Sequence, residues 1–138
     1  MHTLTLEDQL IRDEALRLKP YRDSVGKLTI GVGRNLDDVG ISRDEAINLL
    51  GNDIERASAF LRTQLPWTLS LDEVRRAALI NMAFNMGGKL MGFAHFLQKL
   101  QAGDFVGAAK EMLDSLWAQE VGDRAQRLAK QIETGEWI

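Results

Sequence analysis

Cysteine is missing from the 138 residues, which excludes a disulfide framework and a thiolate metal site. Histidine is scarce too: His2 and His95 are the only two, and they make no metal-ligand spacing, so no metal or other cofactor is expected. No hydrophobic run approaches the ~18 residues of a membrane span. The N-terminal Met-His-Thr-Leu-Thr-Leu-Glu-Asp has neither the basic nor the apolar region of an export signal, so the expectation is a protein kept in the cytoplasm with no membrane insertion. Positive charge is in short supply as well. Seventeen Lys and Arg against twenty Asp and Glu give a net −3, and neither half of the chain is a basic patch. That argues against nucleic acid as a partner and leaves no general attraction to an acidic polymer, so affinity for a polyanion must come from a local site.

What is present is a 45% hydrophobic content, enough to bury the core of one domain or of two lobes sharing a core. Thr5 and Asp8 make a weak capping box, and Leu6, Leu10 and Ile11 step at helical spacing up to about Leu16. Pro20 disfavours helix at Lys19. Lys27 to Gly33 then alternates with period two, the signature of a half-buried strand, expected to form a hairpin with residues near Tyr21 and Arg22. Ser42 and Glu45 form a capping box ahead of Ile47, Leu50, Ile54, Ala57 and Leu61, a 3.6-residue stripe that predicts a long helix ended by Pro66. Ser70 with Glu73 suggests the next start, and Val74 to Met86 is apolar nearly all round, as suits the centre of a bundle. Gly87-Gly88 breaks that helix. Patterns from Phe93 to Leu100, Phe105 to Trp117 and Asp123 (as N-cap) to Ile132 follow, the last stopped by Gly135. The fold class is α+β, mostly helical with a small N-terminal β element.

Placed on a helical wheel at ~100° per residue, Glu14 falls between Leu10 and Ile11 on the apolar face of the first helix. It reads either as a partly desolvated acid facing a cleft, which is what protonation of a glycosidic oxygen requires, or as a helix-end Glu pairing with an arginine. Asp23 sits in a Tyr-Arg-Asp-Ser-Val-Gly turn and reads as an Asx-turn residue when taken alone. Thr29 lies opposite Leu28, Ile30 and Val32, with Gly31 and Gly33 keeping its side open to a ligand or to close backbone packing. Together the three make an acid, a second carboxylate and a hydroxyl at close sequence spacing.

The stretch Asp13-Glu14-Ala15-Leu16-Arg17-Leu18-Lys19-Pro20-Tyr21-Arg22-Asp23, followed by Leu28-Thr29-Ile30-Gly31-Val32-Gly33, resembles the catalytic stretch of the T-even phage lysozymes and their endolysin relatives. Val74 to Gly87 resembles the central helix of that family's C-terminal lobe, and Asp123 to Leu128 with Thr134-Gly135-Glu136-Trp137 resembles its end. The resemblance implies a lysozyme fold with an N-terminal lobe over about residues 12–60 and a C-terminal helical lobe over about 61–138 that includes the first helix. It implies Glu14 as general acid, with Asp23 and Thr29 holding and activating a water. The reaction implied is inverting hydrolysis of the β-1,4 bond between N-acetylmuramic acid and N-acetylglucosamine, with the two carboxyl groups roughly 6.5–9.5 Å apart. By the same resemblance Arg124 pairs with Glu14, Asn85 lines the sugar groove, and Gly31 and Tyr21 contact substrate. Peptidoglycan is the implied partner, met by a monomer that reaches the periplasm and wall at lysis through a membrane hole made by a partner protein.

Between Thr29 and Val74 the chain is shorter than the family pattern. Arg34 stands where relatives usually carry histidine, while an aspartate partner persists as Asp53, so an Arg34–Asp53 tether is expected. Two alternatives stay in view: a lytic transglycosylase, which cuts the same bond without water, and a wall-binding module without activity. Retention of both Asp23 and Thr29 favours hydrolysis.

Overall fold

The computed structural model describes residues 3–138, and His2 lies outside them. The chain divides into two compact units, Met1–Leu49 and Leu50–Ile138. The division falls inside a 22-residue helix, Arg43–Gln64 (here α2), while the expected boundary near residue 60 lies further along that helix.

The first unit opens with α1, Leu6–Glu14. Its start is held by a reciprocal capping box: the Asp8 amide donates to Thr5 Oγ1 (3.1 Å) and the Thr5 amide donates to Asp8 Oδ2 (3.0 Å). No residue of α1 is buried, and the stripe of Leu6, Leu10 and Ile11 is exposed. Three antiparallel strands follow in the order β1 (Arg17–Arg22), β2 (Leu28–Gly31), β3 (Arg34–Asn35). Tyr21 pairs with Thr29 and Arg22 with Leu28, so the expected hairpin is present. A bulge separates Arg17 from Tyr21, and Pro20, which has no N–H for a ladder, sits beside it on the edge strand. The strand expected to run on to Gly33 stops at Gly31. Gly31 and Gly33 take φ of 71° and 69°, left-handed values that glycine adopts freely, and these turn the chain back into β3.

The second unit contains the later turns of α2, a 3-10 helix Pro66–Ser70, then α3 (Glu73–Met86), a 3-10 helix Gly87–Gly92, α4 (Ala94–Gln101), α5 (Phe105–Leu113), α6 (Leu116–Val121) and α7 (Asp123–Thr134). All the buried hydrophobic residues among those described lie here, from Ala57 to Ile132, with Leu79, Met82, Leu90, Phe96 and Met112 among the most enclosed. In the first unit the only buried residue described is Thr29. Four residues of α3 are buried, as expected for a central helix, but Phe84 on the same helix is 45% exposed.

Local polar chemistry corrects three boundaries. The N-cap of α3 is Asp72, whose carboxylate accepts from the Arg75 amide (3.0 Å), and not Ser70, which is used up in the preceding 3-10 turn. The helix expected from Phe105 to Trp117 is two. Ser115 ends the first by donating to the Met112 carbonyl and caps the second by accepting from the Ala118 amide. Asp123 is the first residue of α7, Gly122 at φ 60° being its cap. At the far end of α7, Arg75 donates to the carbonyls of Ile132 (2.6 Å) and Glu133 (3.1 Å) and stacks 3.6 Å over the Phe105 ring, so one guanidinium satisfies a helix C-terminus and ties α3 to α5 and α7.

Candidate active site

Glu14 is the last residue of α1 and is exposed, so the partial desolvation suggested by the helical wheel is not found; Leu10 and Ile11, which should supply it, are exposed themselves. Its carboxylate is nonetheless placed. A β-carbon built on Gly33 would stand 3.0 Å from Glu14 Oε2 and 3.3 Å from Cδ, so the bare backbone of that glycine is what the carboxylate rests against. The residue after Glu14 is also unusual. Ala15 has φ 66° and ψ 156°, the one described non-glycine residue in the left-handed half of the map. The chain leaves α1 through this strained position and enters β1.

Asp23 takes the Asx-turn role. Its Oδ1 accepts from the amides of Val25 (3.0 Å) and Lys27 (2.8 Å), and the Asp23 amide donates back to the Lys27 carbonyl (2.9 Å). Thr29 is 3% exposed, and its hydroxyl donates to the same Lys27 carbonyl (2.9 Å) rather than standing open beside the glycines. Asp23 and Thr29 are therefore fastened to one residue's backbone. The Lys27 side chain extends the lattice: Nζ donates to Asp38 Oδ1 (3.1 Å), Asp38 Oδ2 accepts from the Asn35 side chain (3.0 Å), and Asp37 Oδ2 accepts from the Leu28 amide (2.8 Å). With Thr29's proton committed to a carbonyl, its oxygen is left as an acceptor, and Asp23 keeps Oδ2 without a partner among the described residues.

Arg34 and Asp53 are each paired within their own unit. Arg34 donates through both terminal nitrogens to Glu45 (2.8 and 2.7 Å) and also to the Gly40 carbonyl (3.1 Å), while Asp53 accepts from Arg56 one turn on. Glu45 wins because it is already oriented by its capping role, accepting from the Ser42 amide (2.9 Å), and offers both oxygens to the planar fork. The guanidinium hydrogen bonds, helped by the Ser42 amide, lower the Glu45 carboxyl to about 2.

Gly31, at φ 71°, has open space on the side where a β-carbon would stand, and Tyr21 is half-buried with the Arg17 guanidinium 4.7 Å from its ring. Asn85, at the end of α3, accepts from the indole N–H of the buried Trp117 (2.8 Å) and borders an open cavity of about 550 Å³ shared with Lys89, Phe93 and Glu120. Trp117 is core. Arg124 donates to Asn81, through Nε (3.0 Å) and Nη2 (2.6 Å).

Sequence reading missed Gly33 as the seat of Glu14 and Lys27 as the hub for Asp23 and Thr29. Nothing in the pattern pointed to the Glu14–Gly33 contact, which joins residues nineteen apart. The Asn35-Leu36-Asp37-Asp38 run did carry a signal, because Asn and Asp at such density favour turns that bond neighbouring backbone.

Residues 12–133, which hold all of these groups, match the model of the phage lysozyme family. The chain belongs to that family. Its enzyme class is accordingly that of a lysozyme, a glycosidase. It is 33% identical to an endolysin of Acyrthosiphon pisum secondary endosymbiont phage 1 over 82% of this chain and 78% of the endolysin. It is 29% identical to a probable T4-type lysozyme of Dictyostelium discoideum over 95% of each. It is 31% identical over 96% of its length to the pre-baseplate central spike protein of Enterobacteria phage T4, of which it spans 28%. Among the described residues no helix is long and apolar enough to cross a membrane.

Proposed function

We propose that this lysozyme-family chain hydrolyses the glycan strands of bacterial peptidoglycan for host-cell lysis, at the β-1,4 bond between N-acetylmuramic acid and N-acetylglucosamine. Glu14 gives its proton to the leaving glycosidic oxygen as the bond to the anomeric carbon breaks. A water attacks that carbon from the opposite face and passes a proton to Asp23, which inverts the anomeric configuration. The observation that carries this reading is the common anchoring of Asp23 and Thr29 on Lys27, which leaves two acceptor oxygens for a water. Gly31, Tyr21, Asn85 and Arg124 are assigned to binding sugar. The protein acts as a monomer, without metal or cofactor, and is held in the host cytoplasm until a partner-made membrane hole lets it reach the periplasm and wall.

Mass spectrometry of digested peptidoglycan tests the reaction. Reducing muramic ends of inverted configuration are expected; 1,6-anhydro ends would make the chain a lytic transglycosylase. Glu14→Gln is expected to abolish clearing of permeabilised cells, since general acid catalysis supplies about 10²–10⁴-fold. Activity within about tenfold of the parent would remove Glu14 from the role.

A further inference from the structure

A small cavity in the second unit stands outside everything assigned above. It has a volume of about 290 Å³ and is bordered by Ser58, Arg62, Thr68 and Arg76 over an apolar floor that includes Leu61 and Ile80. Other cavities of the molecule that hold a cation balance it with an acid, as Lys89 with Glu120, Arg56 with Asp53 and Arg34 with Glu45, or hold one cation alone, as at Arg124. This one has two guanidiniums and no carboxylate on its walls.

Arg76 is half-buried, near the start of α3. Its Nη1 donates to the carbonyls of Leu69 (3.2 Å) and Leu71 (3.3 Å), while Nε and Nη2 have no acceptor and no carboxylate lies in ion-pair range among the described residues. A cation drawn partly out of water with donors unmatched is costly unless an anion meets it. Arg62 is bound to Glu55 through Nη2 alone (2.5 Å), which leaves its other nitrogens to donate. The Ser58 hydroxyl is half-buried and unmatched among the described residues, whereas Thr68 has committed its proton to the Leu65 carbonyl (2.7 Å).

We propose that this cavity is an oxyanion site that takes a phosphate group. Arg62 and Ser58, one turn apart on α2, and Arg76 on α3 supply more donors than one planar carboxylate can use, and suit the several oxygens of a phosphomonoester or phosphodiester. The volume leaves room for the carbon skeleton that bears it. The chain carries net charge −3 and no basic patch, so such a site gives it a local hold on phosphate-bearing material that its overall charge denies it. The phosphate can belong to a wall polymer, a lipid headgroup or free phosphate.

The test uses the full chain and the Nε–Hε nuclear magnetic resonance signals of its arginines, at constant ionic strength. Titration with inorganic phosphate is expected to shift the Arg62 and Arg76 signals saturably and the other arginines little, while chloride does neither. Arg62→Gln, which leaves the Arg76 contacts intact, is expected to weaken phosphate binding by about tenfold or more, the worth of a charge-assisted hydrogen bond. Poly(glycerol phosphate) and phosphatidylcholine vesicles containing phosphatidylglycerol then separate wall polymer from lipid as the tighter ligand, each read on the same two signals. Uniform, non-saturating shifts, vesicle binding without change at Arg62 and Arg76, or unchanged affinity in Arg62→Gln would each overturn the proposal.

Discussion

The Glu14 carboxylate rests on the backbone of Gly33, close enough that a β-carbon there would stand 3.0 Å from Oε2. This contact joins the end of α1 to the turn between β2 and β3, and under the acid role proposed for Glu14 it makes a glycine without chemistry of its own a positioning residue. Gly33→Ala is doubly penalised, since alanine at φ 69° is strained and its methyl displaces the carboxylate. A fall in kcat of up to roughly tenfold is expected with KM little changed, because the side chain need give only part of the ~1 Å misplacement that costs about a hundredfold. An unchanged kcat in a folded Gly33→Ala protein would show that the contact does not place the acid.

Ala15 offers the complementary experiment. Its backbone occupies a region that costs of order 1–3 kcal/mol for a residue with a side chain, and glycine would remove that strain at an entropic cost of about 0.5–1 kcal/mol. Ala15→Gly is expected to raise stability by about 1 kcal/mol, read by chemical denaturation. A loss of stability would mean that the exit from α1 is not strained.

The Arg34–Glu45 pair predicts a pH dependence. Glu45 has its folded value lowered to about 2, from an ordinary 4.5, chiefly by the hydrogen bonds from Arg34. Its contribution to stability is therefore complete above about 4.5 and is lost as pH falls from there through about 2. Arg34 stays charged throughout, so Arg34→Ala should destabilise equally at pH 6 and pH 8 and lose its effect in acid. The double mutant Arg34→Ala/Glu45→Ala should be non-additive. Additivity in the Glu45 cycle would rule out the pair.

Two residues on α3 separate packing from polar satisfaction. Leu79 is fully buried, and Leu79→Ala should cost roughly 2–5 kcal/mol through the cavity left behind. Asn85→Ala strands the indole N–H of Trp117, itself 6% exposed, and should cost about 1–3 kcal/mol. Asn85→Asp, which keeps an acceptor, should recover most of that loss in a thermal melt. If Asn85→Ala left stability untouched, the bond to Trp117 would carry no weight.

Much of the secondary structure was legible in the residues, because it depends on neighbours close along the chain. The boxes at Thr5–Asp8 and Ser42–Glu45 involve groups three residues apart, and the Leu79–Met82 face follows from helical spacing alone. The places where boundaries moved, Asp72 and Ser115, are also local: at the first the 3-10 turn took Ser70 and left Asp72 to cap, and at the second one hydroxyl both ended a helix and capped the next.

The candidate site divides along the same line. Residue types and their order determined that a carboxylic acid, a second carboxylate and a hydroxyl would lie on a helix end, a turn and a strand, and they sufficed for the family. Only the tertiary structure decided what each group touches: Glu14 against Gly33, Asp23 and Thr29 on one Lys27 backbone, Arg34 on Glu45. The physical reason is range. Caps, turns and amphipathic stripes are decided within a few residues, whereas the partner of an ionised or hydroxyl group depends on which acceptors the folded chain brings within about 3 Å, and sequence separation says little about that.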